Sequence, residues 1–78
     1  MRVYVVYTCD YSGEYGVEAF STLEKANDFI KSDMQQVIGI LHEDGYKTKE
    51  EHSDGGALVY VPDSGIYYGW DIFESELR

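Results

Sequence analysis

Residues that could do chemistry are few in this chain, and their spacing is unfavourable. The only thiol is that of Cys9, at the end of an apolar segment, where a free cysteine is more often a small buried apolar residue than a nucleophile. The two histidines, His42 and His52, lie ten residues apart. Structural zinc sites usually need closely spaced ligand pairs and often thiolates, and neither is present. We therefore expect no catalytic residue, no metal site and no cofactor.

Carboxylates are the most abundant reactive groups, but acid/base pairs cannot be assigned among them without geometry. Those near the two histidines are Glu43, Asp44, Glu50, Glu51 and Asp54. In total, 15 Asp and Glu face 6 Lys and Arg, which gives a formal net charge of -9. A phosphate backbone and an anionic membrane would both repel this charge, so direct binding to nucleic acid or to membranes is disfavoured. A basic partner, a cation or solubility alone remain as interpretations.

The size of the chain also argues against an enzyme. Its 78 residues correspond to a single domain, residues 1–78. A domain of this size buries only roughly 60% of the surface of its unfolded chain, which leaves little material for a deep active site. One cysteine excludes an intrachain disulfide, and neither a secretory signal nor a membrane-spanning stretch is evident. We expect a soluble protein of a reducing cytoplasm.

The first elements that must position these residues are two strands. Residues 2–9 are rich in β-branched and aromatic types on both parities, which predicts a strand in the middle of a sheet. DYSG at 10–13 predicts a turn, and residues 14–20 then alternate. This alternation predicts that Tyr15, Val17 and Ala19 point inward and that Glu14, Gly16 and Glu18 point outward.

A long amphipathic helix follows this hairpin. STLE at 21–24 fits a capping box with Ser21 as the N-cap and Glu24 at N3. The next apolar residues fall on one stripe of a 3.6-residue helix: Ala26, Phe29, Ile30, Met34, Val37, Ile38 and Leu41. Gly45 suits the position just after the helix. We predict a helix from residue 22 to about residue 43.

The second half of the chain predicts two further strands and one ambiguous segment. Residues 46–56 are polar, and Tyr46 to Glu51 fit either a short edge strand or a loop. Residues 57–61 and 66–74 predict strands joined by a turn at PDSG. The fold class is therefore α+β: a two-layer sandwich with an antiparallel sheet of four or five strands, one long helix on one face, and the order β-β-α-(β)-β-β.

One helix covers only one face of such a sheet, so the other face is a candidate surface for a partner. We expect Val3, Val5, Val17, Val59, Trp70 and Ile72 to face the helix. The uncovered side would then show Tyr4, Glu14, Glu18, Leu58, Tyr60, Tyr67, Asp71 and Phe73. Rings interleaved with carboxylates would suit a basic groove by imitating bases and phosphates. Alternatively, the tyrosines brace an ordinary solvated sheet face through cross-strand pairs. The predicted partner-binding residues are Glu14, Glu18, Tyr60, Tyr67, Asp71, Phe73 and Glu74.

Three segments resemble a group of small proteins found in phages, prophages and other mobile elements. These segments are VYVVYT at the start, FSTLEKANDFI at the junction of strand and helix, and WDIFE near the end. The likeness covers the first thirty residues best. The group brings no catalytic residues. Small acidic phage proteins often resemble inhibitors of host defence, among which anti-CRISPR proteins are the best-known class.

Charge, size and this resemblance together lead to a functional expectation. The protein is expected to be a non-enzymatic acidic inhibitor in the cytoplasm of a bacterial host cell. It would mimic nucleic acid and bind the basic nucleic-acid-binding site of a host defence complex, as an anti-CRISPR protein does. The alternative is a small structural or accessory protein of a phage or mobile element, such as a homodimer that pairs edge strands or its uncovered sheet face. A small enzyme or a metal-binding regulator is the third interpretation.

Overall fold

A computed structural model describes residues 1–53 and 55–76. Within these ranges the chain forms β1 (Arg2–Asp10), β2 (Tyr15–Phe20), α1 (Leu23–Glu43), β3 (Lys49–Ser53), β4 (Gly56–Val61) and β5 (Ile66–Glu76). The strands build one 5-stranded antiparallel sheet in the order β2-β1-β5-β4-β3. This confirms the predicted α+β class and its order of elements, with the fifth strand present.

The ambiguous polar segment contributes that fifth strand. β3 lies at an edge of the sheet and pairs only with β4 among the described strands. Every residue of β3 is exposed, and Lys49, Glu50 and Glu51 place charges along it. Charged edge strands resist pairing with other chains, so β3 is a guarded edge.

Tight local hydrogen bonds hold the β1–β2 hairpin at the predicted turn. The Asp10 carboxylate accepts hydrogen bonds from the backbone amide and the hydroxyl of Ser12. The Ser12 hydroxyl bond lowers the pKa of Asp10 below its ordinary value, with smaller contributions from backbone amides. Gly13 has a φ of 88°, a left-handed conformation that glycine adopts at little cost.

The start of α1 differs from the prediction by one residue. The N-cap is Thr22, whose Oγ1 accepts a hydrogen bond of 3.1 Å from the backbone amide of Lys25. The predicted capping box with Ser21 is therefore wrong, because the N3 position is occupied by Lys25 and not by Glu24. Thr22 has the extended backbone conformation of an N-cap residue, with φ -137° and ψ 153°.

The end of α1 follows the prediction. Gly45 has a φ of 86°, and its amide donates to the carbonyl of His42 at 3.0 Å. The amide of Tyr46 donates to the carbonyl of Leu41 at 3.0 Å, which completes a Schellman motif. Gly45 thus supplies the left-handed residue that ends the helix.

The core lies between α1 and one face of the sheet. Its buried residues are Val6, Ala26, Ile30, Met34, Leu41, Val59, Val61 and Trp70. Partly buried residues pack around them, among them Tyr4, Phe20, Phe29, Tyr68 and Ile72. The rings of Phe20 and Phe29 approach within 5.2 Å between centroids and so fasten β2 to the helix.

Candidate functional site

The sheet face opposite α1 is the candidate functional site, and we call it the open face. Residues paired across neighbouring strands point to the same face of the sheet, so the strand register shows which residues belong to the open face. The open face consists of Val3, Val5, Tyr7 and Cys9 on β1, Tyr15, Val17 and Ala19 on β2, Lys49, Glu51 and Ser53 on β3, Gly56, Leu58 and Tyr60 on β4, and Tyr67, Gly69, Asp71, Phe73 and Ser75 on β5.

The structure corrects the predicted orientation of the first hairpin. Val6 is fully buried beneath the helix and Tyr4 packs beside it, so Val3 and Val5 lie on the open face. β2 follows its partner: Val17 pairs with Tyr7, and Tyr15 and Ala19 share that side. The predicted inward positions of Val3, Val5, Tyr15, Val17 and Ala19 are therefore wrong.

The ladder between β1 and β5 explains the reversal. Both parities of β1 are apolar, so hydrophobic alternation alone does not choose between them. Trp70 and Ile72 face the helix as predicted, and they pair with Thr8 and Val6. This register places the even-numbered residues of β1 on the helix side.

Four of the seven predicted partner-binding residues lie together on the open face. Tyr60 pairs with Tyr67, and Asp71 and Phe73 follow Tyr67 along the same side of β5. The remaining three are carboxylates that the fold places elsewhere. The open face is consequently richer in rings and poorer in acids than the sequence predicts.

The three misplaced carboxylates have identifiable positions. Glu14 precedes β2 in the hairpin turn. Glu18 pairs with Val6 and Glu74 pairs with Tyr4, which puts both on the helix side of the sheet. Glu74 also forms an ion pair with Arg2, in which Oε1 of Glu74 lies 3.0 Å from Nη1 of Arg2. These carboxylates do not interleave with the rings of the open face.

The open face exposes a large apolar area. The exposed fractions are 37% for Tyr7, 72% for Tyr15, 57% for Val17, 43% for Tyr67 and 59% for Phe73. With about 200 Å² per aromatic side chain, the four rings alone leave roughly 400 Å² accessible. The largest apolar patch on a typical monomer measures roughly 300–600 Å² and is often functional, and here half-buried aliphatic residues add to the rings.

Charge is distributed unevenly between the two sides of the sheet. In the described part of the chain, the charged side chains on the open face are Lys49, Glu51 and Asp71. The helix side carries a larger set of carboxylates: Glu18, Glu24, Asp28, Asp33, Glu43, Glu50 and Glu74. The open face is therefore nearly neutral within a strongly acidic molecule.

Tyr7, Tyr15 and Val17 were missed as surface residues by sequence reasoning. The rings of Tyr7 and Tyr15 stack with centroids 6.0 Å apart and an interplanar angle of 11°. The alternation of β2 was a sufficient signal for one apolar side. It did not indicate whether this apolar side faces the helix, because the orientation of β2 follows from the pairing of β1 with β5.

On the helix side, the carboxylate of Asp33 has a structural partner. Asp33 accepts a hydrogen bond of 2.9 Å from the indole N–H of Trp70. Burial raises the pKa of the nearby Tyr68 phenol, and the charges of Tyr11 and Asp10 add to this shift. A concavity of about 270 Å³ opens beside these residues. Its carboxylate Asp33 is engaged by an indole rather than poised toward a reacting atom.

The carboxylates that lie near His42 and His52 in the sequence were considered as metal ligands. Among the residues that the structure describes, no group of three or more His, Cys, Asp or Glu is arranged to hold an ion. His42 contacts the Thr48 hydroxyl at 3.1 Å, and His52 lies on β3. Asp54, another carboxylate near the histidines in the sequence, lies outside the described residues.

The fold and the open face define a small α+β protein with one unpartnered sheet surface. Comparisons of the chain with protein-family models, with curated proteins and with solved structures find no match. Among the described residues there is no helix whose length and hydropathy would let it cross a bilayer.

Proposed function

We propose that the protein is a non-enzymatic, self-associating accessory protein in which two copies bury their open faces against each other. The observation that carries this proposal is the exposed aromatic surface of Tyr7, Tyr15, Tyr67 and Phe73 on a face without a covering layer. Sheets with one exposed apolar face commonly gain a second layer, and a second sheet packs about 10 Å away.

The exposed area is sufficient for a specific dimer. At about 25 cal/mol per Å², the four rings on both copies represent about 20 kcal/mol of apolar transfer free energy, and only the surplus over the costs of association, side-chain ordering and polar desolvation appears as affinity. The half-buried residues Val3, Val5 and Leu58 add further area. The sum approaches the roughly 800 Å² per partner of a standard interface.

The charge of the open face favours a second copy over a basic partner. A basic partner would be attracted to carboxylates, and at least seven of these lie on the helix side against two on the open face. In a two-fold dimer each patch meets itself, so two nearly neutral faces meet with little like-charge repulsion at the contact. A nearly neutral, ring-rich face is complementary to its own copy.

Charge insertion on the open face tests this proposal. We expect Phe73→Glu to shift the protein from dimer to monomer, because it places a carboxylate in an apolar interface. Ile40→Glu is the matched control: Ile40 is 53% exposed, against 59% for Phe73, but it belongs to α1. Sedimentation velocity over a concentration series gives the dimer dissociation constant for each variant.

The design separates failure of folding from failure of the proposal. Circular dichroism confirms that each variant retains its secondary structure, and Tyr15→Glu on β2 offers a second position if Phe73→Glu unfolds. A wild-type protein that stays monomeric at all concentrations contradicts the proposal. So does a dimer that Ile40→Glu disrupts and Phe73→Glu leaves intact.

A second candidate function is the acidic inhibitor that binds a basic nucleic-acid-binding site in a bacterial cytoplasm. It is supported by the carboxylates of α1, such as Glu24, Asp28 and Glu43, which remain exposed when the open faces are buried. Such binding would use the helix side, so Asp28→Lys would weaken it while Phe73→Glu would not. Its dependence on salt, treated below, has the opposite sign to that of self-association.

A further inference from the structure

A notch in the middle of the open face has no explanation in the fold itself. Its floor is formed by Gly69 and Gly56, and Cys9, Leu58, Tyr67 and Asp71 surround it in a concavity of about 390 Å³. The register places Gly69 between Cys9 on β1 and Leu58 on β4. A side chain is therefore missing from the centre of an otherwise ring-rich surface. We call this feature the Gly69 notch.

The backbone does not require a glycine at position 69. Gly69 is not among the residues with positive φ. A Cβ there would lie 3.5 Å from the Cys9 Sγ and 3.9 Å from Leu58 Cδ1, both ordinary contacts. Gly56 differs, because its Cβ would approach the Trp70 carbonyl oxygen at 2.2 Å. Glycine in a strand interior destabilises the strand, and no contact within one copy requires a glycine at position 69.

The walls of the notch select the chemistry of the group that fills it. Cys9, Leu58 and the Tyr67 ring offer apolar contacts. Asp71 and Glu51 offer carboxylates, and the polar residues His52 and Ser53 also line the concavity. No hydrogen bond or ion pair to the Asp71 carboxylate occurs within residues 1–53 and 55–76. A flat apolar body with a hydrogen-bond donor at its tip matches these walls, and a tyrosine side chain is such a group.

We propose, resting on the face-to-face dimer above, that Tyr15 of each copy inserts into the Gly69 notch of the other and donates its phenol hydrogen to Asp71. Tyr15 is the most exposed ring of the open face at 72%. Its stacking on Tyr7 restricts the orientations available to it before association. The open face thereby supplies both the protruding group and the recess that accepts it.

This reciprocal contact fixes the position of the two-fold axis. Tyr15, Cys9 and Gly69 are consecutive members of one row across β2, β1 and β5. If Tyr15 lies over the partner's Gly69 and the reverse also holds, the axis passes through the middle of this row and runs along the strands. Cys9 of one copy therefore faces Cys9 of the other across the interface, at the spacing of two packed sheets, about 10 Å.

Filling the notch tests the inference by substitution. We expect Gly69→Val to raise the dimer dissociation constant at least tenfold while keeping the monomer folded, because valine suits a strand. Tyr15→Phe should raise the constant roughly a hundredfold, since each dimer loses two hydrogen bonds to charged groups and each bond contributes at least about tenfold. Gly39→Ala is the control, because Gly39 lies in α1 with nothing within 4 Å of its Cβ position. Gly69→Ala serves as the smaller filling if Gly69→Val does not fold.

A mixture of two variants makes the test independent of either one alone. Gly69→Val retains Tyr15 but has a filled notch, and Tyr15→Ala retains the notch but has no ring to insert. Each is expected to dimerise poorly by itself. Their heterodimer has one intact contact and no clash at the other, so mixing them should restore association relative to either homodimer. No restoration on mixing overturns the reciprocal contact.

Chemical cross-linking tests the axis without any mutation, since Cys9 is the only cysteine in the sequence. A bis-maleimide with a spacer of about 10 Å should convert the wild-type dimer into a covalent dimer, and Gly69→Val should abolish this product. If the wild type dimerises but gives no Cys9 cross-link, the insertion of Tyr15 into the Gly69 notch is refuted. The same holds if Gly69→Val leaves the dimer unchanged. In both cases the proposed dimer itself is not contradicted. A wild type that is monomeric throughout refutes both proposals.

Discussion

At the scale of single residues, the hydrogen bond between Trp70 and Asp33 joins the two layers of the molecule. The Trp70 side chain is the largest in the buried core, and its residue is only 2% exposed. Its indole N–H would be an unpaired buried donor without the Asp33 carboxylate, which lies 2.9 Å away. The bond also fixes the position of α1 above β5, because the two residues belong to those elements.

Removal of this acceptor should destabilise the fold measurably. We expect Asp33→Ala to lower the free energy of unfolding by about 1–3 kcal/mol, the cost of leaving a buried donor unsatisfied. Asp33→Asn keeps an acceptor oxygen and should cost clearly less. Urea denaturation followed by Trp70 fluorescence measures both variants. Equal losses for the two substitutions would show that the hydrogen bond is not the source of the stability.

At the scale of elements, the termini of α1 show how local chemistry places a helix boundary. Ser21 and Thr22 are both good N-cap residues, and the sequence favoured Ser21 because Glu24 completes a capping box with it. The chain instead uses Thr22, and Ser21 belongs to the bend between β2 and α1. The contact between Phe20 and Phe29 is compatible with this choice, since it ties the end of β2 to the first turns of α1.

The two candidate caps can be separated by mutation. Thr22→Ala should lower the free energy of unfolding by about 1 kcal/mol, because the Lys25 amide loses its acceptor. Ser21→Ala should have almost no effect, since the contact of Ser21 with the Lys25 ammonium is exposed and measures 3.5 Å. Thermal unfolding monitored by circular dichroism compares the two variants. A larger loss for Ser21→Ala than for Thr22→Ala would contradict the assigned cap.

At the scale of the whole molecule, the segregation of charge from apolar surface distinguishes the candidate functions. The formal net charge of -9 produces repulsion between two copies even where their open faces match. The same charge attracts a basic partner. Salt screens both interactions over a Debye length of about 10 Å at 0.1 M, and so it affects the two in opposite directions.

We therefore expect added salt to strengthen self-association and to weaken binding to a basic partner. Raising the salt from about 50 mM to about 500 mM shortens the screening length roughly threefold. The dimer dissociation constant should fall severalfold over this range, by sedimentation velocity. The affinity for an arginine-rich peptide, by fluorescence anisotropy, should fall by more than tenfold. A dimer that dissociates as salt rises would point to an interface built on ion pairs instead of the open face.

Local signals in the sequence predict the elements and their order, except for β3, whose polar residues fit a strand or a loop. Hydrophobic periodicity defines α1, glycine at position 45 ends it, and the turn residues separate the strands, because each of these signals is local. For β5 the alternation also assigned both sides correctly: Trp70 and Ile72 face the helix, and Tyr67 and Phe73 lie on the open face. In β5 the large rings and the carboxylate Asp71 make the two sides of the strand differ in hydrophobicity, so the sequence indicates which side is buried.

The side of the first hairpin that faces the helix does not follow from local sequence signals. β1 is apolar on both parities, so burying Val3 and Val5 or Tyr4 and Val6 offers a similar hydrophobic gain. The choice comes from pairing with β5, a strand distant in sequence, and it carries β2 along through the hairpin register. As a result Glu18 lies on the helix side and Tyr15 on the open face. Strand facing depends on long-range pairing, and a one-residue difference exchanges the two faces.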